Sequence, residues 1–249
     1  MERSDGGGER ISSDSSTAAG EDRLSALPDD ILVLVLLRLH NAAAAAQTSV
    51  LSRRWRRLWA LLPELRFPVA PEPGRTRAVL ESHEVALRLL VVETLGAAPD
   101  SVAAWLPAAA RRLSGRLVFH NHAHAKGEAK GGAFELPCFG NATSVYLDLG
   151  LLGLAVPPAG VFARLTELSL LRVWFHGPWE LGDAISSARC PCLQKLRVHD
   201  CRGMNRLAIH SGSLLRVNLN GLGGLRQLII EAPALEELSH VAPVAPFIA

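Results

Sequence analysis

Residues 193–220 read LQKLRVHDCRGMNRLAIHSGSLLRVNLN, three short apolar alternations set end to end. Leu193-x-x-Leu196-x-Val198, Met204-x-x-Leu207-x-Ile209 and Leu214-x-x-Val217-x-Leu219 share one template, whose last apolar positions alternate with polar ones as one face of a strand does. The template extends both ways: Leu165-x-x-Leu168-x-Leu170 precedes it, Leu225-x-x-Leu228-x-Ile230 follows, and Leu235-x-x-Leu238 begins another copy. A spacing of 21 residues separates Leu193 from Leu214 and Leu214 from Leu235, and the copies at Met204 and Leu225 fall about halfway. The halving predicts two short strands per late coil, one on each broad face of a flattened solenoid with an apolar core between them. The earlier step from Leu165 to Leu193 is 28 residues, which leaves Trp174 to Ile185 as extra convex structure. A β-sandwich of regularly spaced strands fits poorly, because the template repeats in phase.

The template resembles the strand segment of leucine-rich repeats. Side chains between the template leucines then face outward, which selects Ser144, Tyr146, Asp148, Glu167, Ser169, Lys195, Arg197, His199, Arg216, Asn218 and Asn220 on the main face. Lys195, Arg197 and Arg216 stack in adjacent coils, flanked by Glu167 and Glu237, as a basic stripe suited to an acidic or phosphorylated segment of a target protein. The candidate target-binding residues are Tyr146, Glu167, Lys195, Arg197, His199, Arg216 and Asn218.

Toward the N-terminus, residues 24–67 read LSALPDDILVLVLLRLHNAAAAAQTSVLSRRWRRLWALLPELRF. Pro28 suits a first helical turn, Asp29 and Asp30 complement a helix N-terminus, and the run Ile31 to Leu37 is apolar on every side of a helix. Ala42 to Ala46 predicts a small-residue helix. Ser52 to Leu62 predicts a third, with Leu51, Trp55, Leu58, Trp59 and Leu62 on one stripe and Arg53, Arg54, Arg56 and Arg57 toward the other side. A helical unit this short buries too little apolar area to stand alone, so a partner surface is implied. The arginines read as a solvated face rather than a nucleic-acid patch, since the formal net charge is only +2.

Leu27-Pro28-Asp29-Asp30-Ile31-Leu32, followed by Thr48-Ser49-Val50-Leu51-Ser52-Arg53-Arg54-Trp55 and Leu58-Trp59, resembles the F-box in the form found in plant F-box and leucine-rich-repeat proteins. The family usually carries a mixed polar segment where this chain has the alanine run. The resemblance implies docking on the Skp adaptor of a cullin-RING ubiquitin ligase, with Leu27, Pro28, Ile31, Leu32, Val50, Leu51, Ser52, Trp55 and Leu58 as adaptor-facing or core-defining positions. It implies a substrate-recognition subunit that performs no chemistry itself and works in the nucleus or cytoplasm. The alternative is a leucine-rich-repeat interaction or scaffold protein outside any ligase, including one that competes for adaptor.

The remaining chain fits an α+β protein of 249 residues. Residues 1–21, rich in Gly, Ser and charge, predict a disordered tail and lack the apolar core of a signal peptide. The helical module spans 22–67, a Pro/Gly-rich linker 68–75 and the solenoid 76–249. Within the last of these, Val79, Leu80, His83, Leu87, Leu90 and Val91 recur at helical spacing, and a second helix opens near Pro99 and is interrupted at Pro107. Leu117 to Phe119 predicts the first buried strand, and His120 to Gly132 a polar loop. His120, His122 and His124 in that loop have no carboxylate or thiolate beside them in the local sequence to complete a metal shell, and Cys190, Cys192, His199 and Cys201 fit no zinc spacing. Those cysteines, with Cys138, read as reduced thiols, the clustered ones as small buried apolar residues. No cofactor, catalytic constellation or membrane span is expected. The apolar end VAPVAPFIA, residues 241–249, has no polar cap and suggests a shortened solenoid.

Overall fold

The computed structural model describes residues 24, 26–70, 72–122, 132–177 and 180–241. Three short helices come first: α1 (Asp29–Leu37), α2 (Ala42–Gln47) and α3 (Arg53–Leu58). Each start has a local cause. The Pro28 carbonyl accepts from the Ile31 and Leu32 amides. Asn41 Oδ1 accepts from the Ala43 amide at 2.9 Å and the Ala44 amide at 3.3 Å, and Ser52 Oγ caps α3 by accepting from the Trp55 amide at 3.5 Å.

Strands then alternate with helices or turns: β1 (Glu64–Phe67), α4 (Pro73–Ser82), β2 (Leu87–Leu95), α5 (Pro99–Arg112), β3 (Leu113–His122), β4 (Ala133–Glu135), β5 (Ser144–Ala155), β6 (Glu167–His176), α6 (Leu181–Ala184), β7 (Lys195–His199), β8 (Arg206–His210), β9 (Arg216–Asn220), β10 (Gln227–Glu231) and β11 (Glu237–Val241). The main sheet is parallel in the order β1-β2-β3-β5-β6-β7-β9-β11, with β4 pairing the far end of β5, and β8 pairs β10 in a second parallel sheet. The late coils therefore carry two strands each, as the halved spacing predicts. Between the two sheets lie the template side chains Leu196, Val198, Leu207, Ile209, Val217 and Leu219, all buried. This core runs without a break into the N-terminal helices through Leu65, Leu62, Leu58 and Leu32.

Left-handed residues follow the ends of β2, β7 and β9 and interrupt β5 and β6 partway along. Gly96, Leu151, Arg172, Asp200 and Gly221 have φ of 58°, 69°, 49°, 52° and 61°. At the earlier turns the buried Asn121 stitches coils together: its Oδ1 accepts from the Thr94 hydroxyl and the Ala97 amide, and its Nδ2 donates to the Leu149 carbonyl at 3.2 Å.

The N-terminal half departs from expectation in four places. Leu87, Leu90 and Val91 belong to strand β2, and α4 stops at Ser82. Where its register with β3 shifts, between Leu87 and Leu89, β2 buries Leu87 and then Leu90, a three-residue step that imitates a helix spacing. Two strands, β1 and β2, precede Leu117–Phe119, and within the expected linker 68–75 the Ala70 amide donates to the Glu93 carbonyl of β2 and Pro73 opens α4. Helix α5 continues through Pro107 to Arg112, because Pro107 is exposed while Trp105, Leu106, Ala108 and Ala109 pack inward. His120 and His122 lie in β3 rather than a loop; His124, the N-terminal tail 1–21 and the end beyond Val241 lie outside the described residues. Cys190 and Cys201 are buried, but Cys192 is exposed. Burial pushes the Cys190 and Cys201 thiols up to about 12.

Candidate functional site

The N-terminal helices present an apolar surface that their own fold leaves uncovered. Helix α1 buries Leu32 and Leu36 and exposes Ile31, Leu34 and Val35, and Leu39 continues the exposed set just beyond it. In the turn before α3, Val50 is 81% and Leu51 64% exposed. Apolar residues this open, gathered on one small module, are the signature of a docking surface. The expected adaptor positions thus divide. Ile31, Val50 and Leu51 point outward, Pro28 and Ser52 are exposed and hold helix starts, and Leu27 is half-buried. Leu32, Trp55 and Leu58 are core-defining: they sit in the chain's own interior and support the face rather than form it. Arg54 is not simply a solvated cation, since its guanidinium pairs with Asp29 at 2.6 Å and donates to the Leu27 carbonyl, tying α3 to the start of α1. Leu34, Val35 and Leu39 were not singled out by sequence, because a helix apolar on every side carries no signal for its outer face.

The second surface is the concave face of the main sheet. Parallel, in-register pairing sets three rows across it. The first runs Arg116, Ser144, Glu167, Lys195, Arg216, Glu237; the second Val118, Tyr146, Ser169, Arg197, Asn218, Ser239; the third Glu93, His120, Asp148, Leu171, His199, Asn220. All seven expected target-binding residues, Tyr146, Glu167, Lys195, Arg197, His199, Arg216 and Asn218, lie in these rows.

The rows differ in chemistry along their length. Toward β3 and β5 the face is aromatic and acidic: the His120 ring tilts against Tyr146 at 5.0 Å and stacks on His122 at 5.8 Å, while His122 Nε2 lies 3.5 Å from Glu93. Partial burial, then the charge of Asp148, pushes the Tyr146 phenol above its usual range. Asp148 is held by Arg172 through two hydrogen bonds, Nε to Oδ1 at 2.6 Å and Nη2 to Oδ2 at 2.7 Å, which raise the guanidinium further above its usual range. Toward β7 and β9 the face turns basic. Lys195 and Arg197 have no ion-pair partner among the described residues, Arg216 lies 3.5 Å from Glu237, and His199 Nε2 donates to Asn218 Oδ1 at 2.8 Å.

Among the described residues no group of three His, Cys, Asp or Glu side chains is placed to hold a metal ion, and no helix is long and apolar enough to cross a membrane. Residues 24–67 match the F-box domain model. Residues 102–246, more than half of the chain, match the model of the leucine-rich repeats of the FBD-associated F-box protein At5g56370. The chain belongs to the F-box/leucine-rich-repeat family. Among the relatives of this F-box/leucine-rich-repeat protein, the Arabidopsis thaliana F-box/FBD/LRR-repeat protein At3g49030 is 28% identical over 238 residues, covering 90% of this chain and 53% of its own length. The FBD-associated F-box protein At4g10400 of the same organism is 27% identical over 229 residues, 86% of this chain and 54% of the relative. Over a shorter stretch the identity is higher: At2g04230, an F-box/FBD/LRR-repeat protein of that organism, is 55% identical over 47 residues, 19% of this chain and 10% of the relative. The chain spans about half the length of the first two relatives. No solved structure matches it.

Proposed function

We propose that this F-box/leucine-rich-repeat protein is the substrate-recognition subunit of a Skp-cullin-F-box ubiquitin ligase. The observation that carries the reading is the apolar face of Ile31, Leu34, Val35, Val50 and Leu51, exposed on a module whose interior is otherwise filled. In this reading that face docks the Skp adaptor and, through it, the cullin, and the concave rows from β3 to β11 hold a target protein. The sheet and core shared by module and repeats support a fixed distance between the two surfaces. Holding a target there raises the effective concentration of its lysines near the ligase's catalytic subunits, so the chain itself performs no chemistry. Its place of work is the nucleus or cytoplasm, with the other ligase subunits.

The test is target abundance. The intact chain and a Val50→Asp/Leu51→Asp variant are expressed at matched levels, and the cellular proteome is quantified with and without a proteasome inhibitor. The reading expects a small set of proteins to fall with the intact chain alone and to recover under inhibition. No such set, or the same set with the variant, would leave an interaction protein outside any ligase.

A further inference from the structure

Lys195 and Arg216 are direct cross-strand partners on β7 and β9, and Arg197 partners Asn218 in the next row. Neighbouring strands lie about 4.8 Å apart, and like charges placed opposite one another destabilise a sheet. Such an arrangement on the concave face serves a bound anion better than it serves the fold. The available carboxylates neutralise it only in part. Glu167 is the cross-strand partner of Lys195, yet it makes no ion pair with it and accepts from Ser144 Oγ at 3.4 Å; Glu237 lies 3.5 Å from Arg216 alone. The three cations and Asn218 wall a dent of about 90 Å³ between the two strands. That is room for about three waters, the scale of one oxyanion head rather than a ring or a nucleotide. His199 donates to Asn218 Oδ1 and so takes up the acceptor side of that amide, leaving its Nδ2 as the donor side.

We propose that this dent seats the phosphate of a phosphorylated residue in the target protein. The identification rests on the substrate-receptor reading for its target and on charge balance for its ligand. Lys195, Arg197 and Arg216 bring three positive charges and Glu237 returns one. The remainder matches a phosphate monoester, which carries about −1.5 to −2 at pH 7, better than the single charge of a carboxylate. Two guanidinium groups and an amide supply the planar and directional donors that phosphate oxygens accept from.

The experiment uses the full chain purified with its adaptor and an array of random short peptides, each with phosphoserine, serine or aspartate at one fixed central position. The expected result is that the phosphoserine set is retained at least about tenfold over the serine set and clearly above the aspartate set. Retention should fall to the serine level for Arg197→Gln and Lys195→Gln. The matched control Arg206→Gln removes an exposed charge from β8, in the other sheet, and should retain phosphopeptide like the intact chain. Equal retention of phosphoserine and aspartate sets, retention insensitive to Arg197→Gln, or stronger retention of a single-stranded oligonucleotide would each overturn the proposal. Adaptor content of the same preparation is measured alongside. Phosphopeptide retention without adaptor would leave the seat standing and remove the ligase reading; adaptor capture without retention would do the reverse.

Discussion

The Asp148–Arg172 pair is the structural pivot of the concave face, and its two halves should not be worth the same. The Asp148 side chain is 12% exposed and that of Arg172 38%. Arg172→Ala leaves a nearly buried carboxylate whose nearest remaining nitrogen is His120 Nδ1, 3.9 Å away. Stranding a buried charge costs about 3–5 kcal/mol, and the open rim here argues for the lower end, about 3 kcal/mol. Asp148→Ala leaves a guanidinium that can turn to water, so it should cost only about 1–1.5 kcal/mol. Removing both should cost close to the aspartate variant alone, a coupling of about 2 kcal/mol or more between the two sites. Backbone strain offers an internal check. Arg172 sits at φ 49°, so Arg172→Gly should be less damaging than Arg172→Ala by about 1 kcal/mol, the left-handed penalty of a residue with a Cβ. Urea unfolding of the four variants and the parent, at constant slope, measures each difference. An aspartate variant as damaging as Arg172→Ala, or a glycine variant no better than the alanine one, would refute the reasoning.

Three further outcomes follow from burial. Leu58→Ala, at a position 1% exposed, should cost about 2–5 kcal/mol, against less than about 0.5 kcal/mol for the outward Val50→Ala, a contrast read directly by thermal melting. His83 is buried with Nε2 donating to the Leu62 carbonyl at 2.6 Å and Nδ1 unpaired, and burial holds its pKa below the usual 6.5. The unfolded chain therefore takes a proton below pH 6.5 that the folded chain refuses, so stability is lost as pH falls from there; the urea midpoint should drop on acidification, and His83→Asn should flatten that drop. Iodoacetamide at mildly alkaline pH should label the exposed Cys192 and spare Cys190 and Cys201, whose thiols burial pushes up to about 12, until urea opens the core; peptide mass mapping reports the order.

The repeat strands were legible because one residue pattern and one physical constraint coincide there. Parallel pairing in register carries Lys195 to Arg216 and Arg197 to Asn218, so a fixed spacing along the chain becomes a fixed row across the sheet. The same spacing identified the second sheet from Met204 and Leu225, although those positions lie just before the strands and only the following residues form β8 and β10. The first strands were hidden for local reasons. β1 follows the last helical turn almost directly, and β2 buries Leu87 and Leu90 three residues apart, which breaks its alternation. On α1 every position is apolar, so only tertiary packing decides that Leu32 and Leu36 turn inward while Leu34 and Val35 remain open. The Asp148–Arg172 pair also escaped the pattern, since it depends on an arginine in left-handed backbone, a conformation that residue type does not announce.

Adaptor co-purification tests the central claim most directly. The intact chain and the Val50→Asp/Leu51→Asp variant are co-expressed with a Skp-type adaptor, and the variant's thermal unfolding is compared with that of the intact chain to show that its core is retained. The account expects the adaptor to travel with the intact chain and to be lost from a variant that unfolds like its parent. Adaptor absent from both, or retained equally by both, would contradict it.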